Sequence, residues 1–88
     1  MTKYFMATVA LSINEGLTSS SFFESEIKKA LMRQCKETYL LVDHTKFDQA
    51  SFVKICPLNS IHYVVTDTIP SQEYVDFFSQ NGIKLITE

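Results

Sequence analysis

Eighty-eight residues, 45% of them hydrophobic and 20% charged, describe one globular domain that is neither disordered nor membrane-like, and a domain this size buries only about 60–65% of the surface its unfolded chain exposes. A formal charge of −2, with eight scattered basic residues against ten acids, argues against a nucleic-acid surface, which needs Lys and Arg clustered on one face. With no apolar run near the roughly 18–20 residues of a membrane span and no basic-then-apolar signal pattern at the amino end, a soluble, cytoplasmic protein without a membrane partner is expected.

The first element is an apolar run over residues 3–12, Lys-Tyr-Phe-Met-Ala-Thr-Val-Ala-Leu-Ser, which reads as a strand covered on both faces. Gly16 closes a turn. Ser21 and Glu24 then stand at capping-box spacing, where the serine oxygen accepts a first-turn amide and Glu24 reaches back, so a helix starts here. Its apolar face is expected at Phe23, Ile27, Ala30, Leu31 and Cys35, with Lys28, Lys29, Arg33 and Lys36 as a solvated outer face. Cys35 and Cys56 lack Cys-x-x-Cys spacing and read as buried apolar groups, and His44 and His62 lack metal-ligand spacing; no metal or cofactor is expected.

A second strand runs from Tyr39 to Asp43, followed by an irregular piece from His44 to Ser60 that is broken at Pro57. Residues 61–66 form a third strand, which stops at Asp67. Pro70 and Ser71 open a helix with Tyr74, Val75 and Phe78 inside, and Asn81-Gly82 caps its end, because glycine takes the left-handed conformation without steric cost. Residues 83–87 make the last strand. This order gives an α/β fold with a mostly parallel sheet flanked by helices. Four strands and two helices cannot cover both faces of such a sheet, so either two copies associate or the chain is a portion of a larger domain. The short lead-in before Tyr4 favours the second.

Two strands thus end in aspartate, at the sheet edge where ligands of open α/β folds bind. Asp67 reads as a turn former. Asp43 is accompanied by Thr45 and Lys46: the ammonium can receive phosphate as a point charge and the carboxylate can accept hydroxyl hydrogens from a polyol. That pairing suits a phosphorylated sugar.

Several short motifs together resemble the carboxyl-terminal half of the effector-sensing domain of DeoR-type bacterial transcriptional repressors. They are Gly16-Leu17-Thr18, the helix from Glu24 to Leu31, Leu41-Val42-Asp43 with Thr45-Lys46-Phe47, Pro57-Leu58 ahead of Ile61, and Val65-Thr66-Asp67. The resemblance implies a sugar-phosphate isomerase-like and CoA transferase-like sensor fold, of which residues 1–88 form the carboxyl-terminal part. It also implies a phosphorylated-sugar inducer, assembly as a homo-oligomer, and operator DNA bound through a winged helix-turn-helix that this chain lacks. By position it implies an effector site with Asp43 and Lys46, Phe47 packed behind them, and Thr18 and Glu24 nearby. The Asp43-His44-Thr45-Lys46 wording is similar to repressors of lactose or fructose phosphotransferase operons. Departures from the family pattern are Thr2, Ala7 and Ala10, where the family has an acid and glycines. With only Gly16 and Gly82 there is also no glycine-rich loop to cradle a phosphate.

The leading expectation is therefore a sugar-phosphate-sensing, non-enzymatic fragment of a repressor of a sugar-utilisation operon. The alternative is a fragment of a sugar-phosphate isomerase-like enzyme with Asp43 or Glu24 as general base, against which no second catalytic carboxylate or histidine is placed near the first.

Overall fold

The computed structural model describes residues 2–7 and 9–87, and it breaks the expected strand over residues 3–12 in two, Lys3–Met6 (β1) and Ala10–Ser12 (β2). These belong to different sheets. The expectation of burial on both faces fails for a physical reason: in β1 Met6 is wholly buried while its neighbour Phe5 is 56% exposed, the alternation of a strand with one covered face. Val9 then plunges into the core and carries the chain away from the first sheet.

β2 turns back through residues 13–15, where Ser12 Oγ accepts the Glu15 amide at 2.9 Å, into Gly16–Ser19 (β3). β3 lies between β2 and Val53–Cys56 (β5), antiparallel to both. This three-stranded antiparallel sheet corrects the reading of residues 44–60 as wholly irregular. Gly16 does close the turn, at φ +76°.

The other sheet is the expected parallel one, in the order β1, Glu37–Leu41 (β4), Tyr63–Thr66 (β6), Lys84–Thr87 (β7). Its inner face puts Met6, Leu40 and Val64 side by side, all fully buried. Helix Gln72–Gln80 (α2) closes over that face with Tyr74 and Phe78, each 1% exposed, as expected, but Val75 is only half-buried and Phe77 packs against the core instead. Its end is the expected glycine cap: Gly82 at φ +68° lets the Ile83 amide return to the Phe78 carbonyl at 2.8 Å. On the outer face Phe5 stacks on Tyr39 at 4.7 Å and Tyr39 on Tyr63 at 4.2 Å, beside Leu41, Val65 and Ile86. No element packs over this side among the described residues, so only one face of the parallel sheet is covered.

Helix Phe22–Gln34 (α1) starts where the capping residues place it, with Ser21 Oγ accepting the Glu24 amide at 3.2 Å. The reciprocal half of the capping box is replaced: the Ser21 amide donates to Ser19 Oγ, also at 3.2 Å. The expected inner face is corrected too. Phe23 and Ile27 are 73% and 45% exposed, and Ala30, Leu31 and Cys35 are only half-buried. The helix lies instead on β5, β3 and β1 through Ser25, its one fully buried residue, with Met32 packed against the core. A small residue at the crossing lets helix and strands approach closely, and this rotates the phenylalanines outward. The two cysteines are free and half-buried rather than fully buried; burial pushes the Cys56 thiol up to about 11.

Candidate effector cleft

The chain leaves β4 through Val42 into a 3-10 turn, His44–Lys46, capped by Asp43. Asp43 Oδ1 accepts the Thr45 amide at 2.9 Å and the Thr45 hydroxyl as well, and the Lys46 amide closes on the Asp43 carbonyl at 3.1 Å. These bonds, led by that from the Thr45 hydroxyl, hold the Asp43 carboxyl below its ordinary range. Its carboxylate is thus turned back on its own turn. It lies on a shelf with Leu41, Val42, Val65, Thr66 and Asp67.

Asp67, at the end of β6, does more than form its own turn. It accepts the His44 amide at 2.9 Å and the His44 Nδ1 hydrogen at 2.8 Å, tying the turns of two neighbouring parallel strands together. The bond lowers Asp67 and raises His44 from their ordinary values. The sequence gives no local sign of this, because the partners are 23 positions apart. His62 has a structural part, its Nδ1 accepting the Thr38 amide at 3.0 Å.

Lys46 stands on the other side of the turn, in a cleft of about 320 Å³. Val9 and Ala10 enter it from the β2 side, Thr18, Ser19 and Ser20 from the end of β3, and Thr45, Lys46, Gln49, Ala50 and Ser51 from the segment after β4. Thr18, 1% exposed, accepts the Ser51 amide on Oγ1 at 2.8 Å, and the Gln49 amide donates to the Leu11 carbonyl at 3.1 Å. The wall from Gln49 to Ser51 is therefore pinned to the antiparallel sheet. Phe47 packs behind it, bridged to Leu11 and edge-on to Tyr74 at 4.9 Å.

Of the residues singled out in the sequence, Thr18 and Lys46 meet in this cleft and Phe47 supports it from behind. Asp43 shapes the turn that carries Lys46 but lies apart, on the shelf. Glu24 sits exposed in the first turn of α1 and does not line the cleft. Ser19, Ser20, Gln49 and Ser51 escaped the sequence reading; the serine run at residues 19–21 was the one available signal for the first two.

A larger cavity, about 480 Å³, opens between the β2–β3 turn, β5 and α2. Its two ammonium groups are already engaged, Lys29 by Glu26 at 3.2 Å and Lys54 by Glu15 at 3.4 Å. Among the described residues Lys46 has no carboxylate within ion-pair distance, and no cluster of His, Cys, Asp or Glu could hold a metal ion. No described helix is long and apolar enough to cross a membrane.

Comparison with known proteins gives this geometry a family. Residues 1–68 match the DeoR C-terminal sensor domain. The chain is 35% identical over 81 residues to the HTH-type transcriptional regulator IolR of Bacillus subtilis, an alignment covering 92% of this chain and 32% of that protein. It is 30% identical over 84 residues to the HTH-type transcriptional repressor GlcR of the same organism, covering 96% and 32%. To the deoxyribose operon repressor of Escherichia coli it is 28% identical over 82 residues, covering 93% and 32%. The chain thus spans about a third of the length of these curated relatives. With its family match over residues 1–68 and these relatives, all transcriptional regulators or repressors, the chain belongs to the DeoR family, in its C-terminal sensor domain.

Proposed function

We propose that this chain is the carboxyl-terminal part of the effector-sensing domain of a DeoR-family repressor, and that the Lys46 cleft receives the phosphate of a phosphorylated sugar. The observation that carries the reading is the composition of the cleft. The Lys46 ammonium, close enough to Asp43 to help lower its carboxyl but in no ion pair among the described residues, shares the cleft with the hydroxyl-bearing residues Thr18, Ser19, Ser20, Thr45 and Ser51 and with the Gln49 side chain. A sugar phosphate carries close to two negative charges at neutral pH and a row of hydroxyls. A lysine meets the first as a point charge, and serine, threonine and glutamine groups exchange hydrogen bonds with the second. Asp43 contributes by fixing the turn, and Phe47 by backing it.

The uncovered outer face of the parallel sheet supports two further parts of this reading, since parallel sheets are ordinarily covered on both sides. The chain completes a sugar-phosphate isomerase-like domain with other segments of its parent protein, and the parent assembles as a homo-oligomer. Operator DNA is reached through a winged helix-turn-helix outside this chain, the protein works in the cytoplasm, and the chain performs no chemistry. Ligand binding acts by population shift, favouring a sensor arrangement incompatible with the dimer spacing that operator half-sites require. The Asp43-His44-Thr45-Lys46 wording supports a phosphotransferase operon as the target.

The test is Lys46→Ala in the full-length protein. Loss of one hydrogen bond to a charged group, about 1.5–3 kcal/mol, raises the sugar phosphate concentration needed for half-release of operator about 10- to 150-fold. Operator affinity without effector stays as in the wild type. Release of DNA by this variant at the wild-type effector concentration would remove Lys46 from the site.

A further inference from the structure

We infer that Tyr74, on α2 and outside the cleft, is a positioning residue for the cleft wall: its hydroxyl holds Asp48 in a left-handed backbone conformation and so sets where Lys46, Gln49 and Ser51 stand. The inference rests on the cleft reading for its meaning in ligand binding, but the conformational claim stands on geometry alone.

Among the described residues Asp48 is the one non-glycine with positive φ, at +60°. Aspartate tolerates this region better than most residues, yet it remains costlier there than glycine. The Tyr74 hydroxyl supplies what keeps it there: it donates to Asp48 Oδ1 at 2.7 Å and accepts the Asp48 amide at 3.1 Å. Both bonds go to one residue from one oxygen, so they fix the peptide and the side chain of Asp48 together. The oxygen is itself immobile, because Tyr74 is 1% exposed and its ring abuts Phe47.

The consequence for the cleft follows from chain geometry. A left-handed residue between Phe47 and Gln49 reverses the local path, so that Lys46 and Gln49 both line one cleft. Among the described residues, the wall beyond Asp48 is held by the Gln49 amide on Leu11 and the Ser51 amide on Thr18. If Asp48 relaxes to negative φ, both bonds must stretch or break. Tyr74 is not among the residues that line the cleft; its ring backs Phe47, and its hydroxyl, which the Ile13 amide also approaches, acts on the wall through Asp48.

Amide hydrogen exchange in the full-length protein tests this without any ligand. Tyr74→Phe keeps the ring and removes the hydroxyl, and it should speed exchange at the Gln49 and Ser51 amides about five- to tenfold, the order of one lost hydrogen bond. The Val42 and His62 amides, bonded to Val65 and Thr38, should keep wild-type rates. Asp48→Asn retains an acceptor and the tolerance for left-handed φ and should match the wild type. Asp48→Ala should resemble Tyr74→Phe, and the double variant should be no worse than either single one, since the two residues act as a unit. Unchanged exchange at Gln49 and Ser51 in Tyr74→Phe, or equal acceleration at Val42 and His62, overturns the inference. In the full-length protein, fructose 6-phosphate and inorganic phosphate are then titrated against the same variants with Lys46→Ala alongside. Wild-type binding by Lys46→Ala sinks the cleft reading and leaves the exchange result on Tyr74 standing.

Discussion

Gly16 and Gly82 both sit at positive φ, +76° and +68°, but they stand in opposite surroundings, and alanine at each should separate conformational strain from steric exclusion. A Cβ on Gly82 would meet nothing within 4 Å, so Gly82→Ala suffers only the left-handed cost, about 1–2 kcal/mol. A Cβ on Gly16 would stand 2.3 Å from the Cys56 carbonyl oxygen and 3.0 Å from Pro57 Cα, both backbone atoms that no rotamer change can move. The added overpacking, about 1–3 kcal/mol, brings Gly16→Ala to about 2–5 kcal/mol. For a domain this size total stability is about 4–13 kcal/mol, so this one methyl removes a large share of it. Relief of the clash would push β3 from β5 next to the Leu17–Cys56 pairing and displace Thr18, two residues on, from the cleft. Urea unfolding followed by far-UV circular dichroism measures the difference directly, as two midpoints at a common slope. Equal midpoints for the two variants would refute the close approach of β3 to β5 at Cys56.

Two other substitutions probe the molecule elsewhere. Because Asp67 raises His44, the histidine contributes stability that is complete below its unfolded value near 6.5 and fades as pH climbs through the raised folded value. Asp67, being lowered, contributes above its unfolded value and fades only as pH falls through the lowered folded one. The link between the two turns is therefore strongest between those limits. An NMR titration should place the His44 midpoint above 6.5 in the wild type and lower in Asp67→Asn; identical midpoints would show that the pair does not form in solution. Ser25 is fully buried and its Oγ has no hydrogen-bond partner among the described residues. Ser25→Ala should therefore be neutral or stabilising by up to about 1 kcal/mol, and a loss beyond that in thermal unfolding would reveal a partner for the hydroxyl.

What the sequence disclosed and what it withheld divide along the range of the interactions involved. α2 was legible because everything that defines it is local: Ser71 at its start, Tyr74 and Phe78 four residues apart, and Asn81-Gly82 at its end. The strands at Tyr39 and Tyr63 were legible because burial writes itself as alternation or an apolar run, although β4 runs from Glu37 to Leu41 rather than from Tyr39 to Asp43 and β6 begins at Tyr63 rather than at residue 61. β2, β3 and β5 have three or four residues each and exist through pairing with one another, which no local pattern encodes. The face of α1 was misjudged for a different reason. The periodicity of Phe23 and Ile27 is real, but depth is set by what the helix packs on, and here Ser25 permits the closest approach. In the cleft, Lys46 was legible from the turn that Asp43 and Thr45 build around it. Gln49 and Ser51 were not, since their places depend on bonds to Leu11 and Thr18, 38 and 33 positions earlier in the chain.

The stacked rings on the open sheet face have an optical consequence. The chain has four tyrosines and no tryptophan, so its near-ultraviolet absorbance and intrinsic emission come chiefly from tyrosine. Tyr39 and Tyr63 lie nearly parallel, 5° between planes, on the surface that lacks a cover, with the Tyr63 hydroxyl bonded to Glu37. Whatever comes to lie on that face excludes water from this pair. The pair is thus a built-in chromophore for any contact made on that face, readable by difference spectroscopy without any attached label.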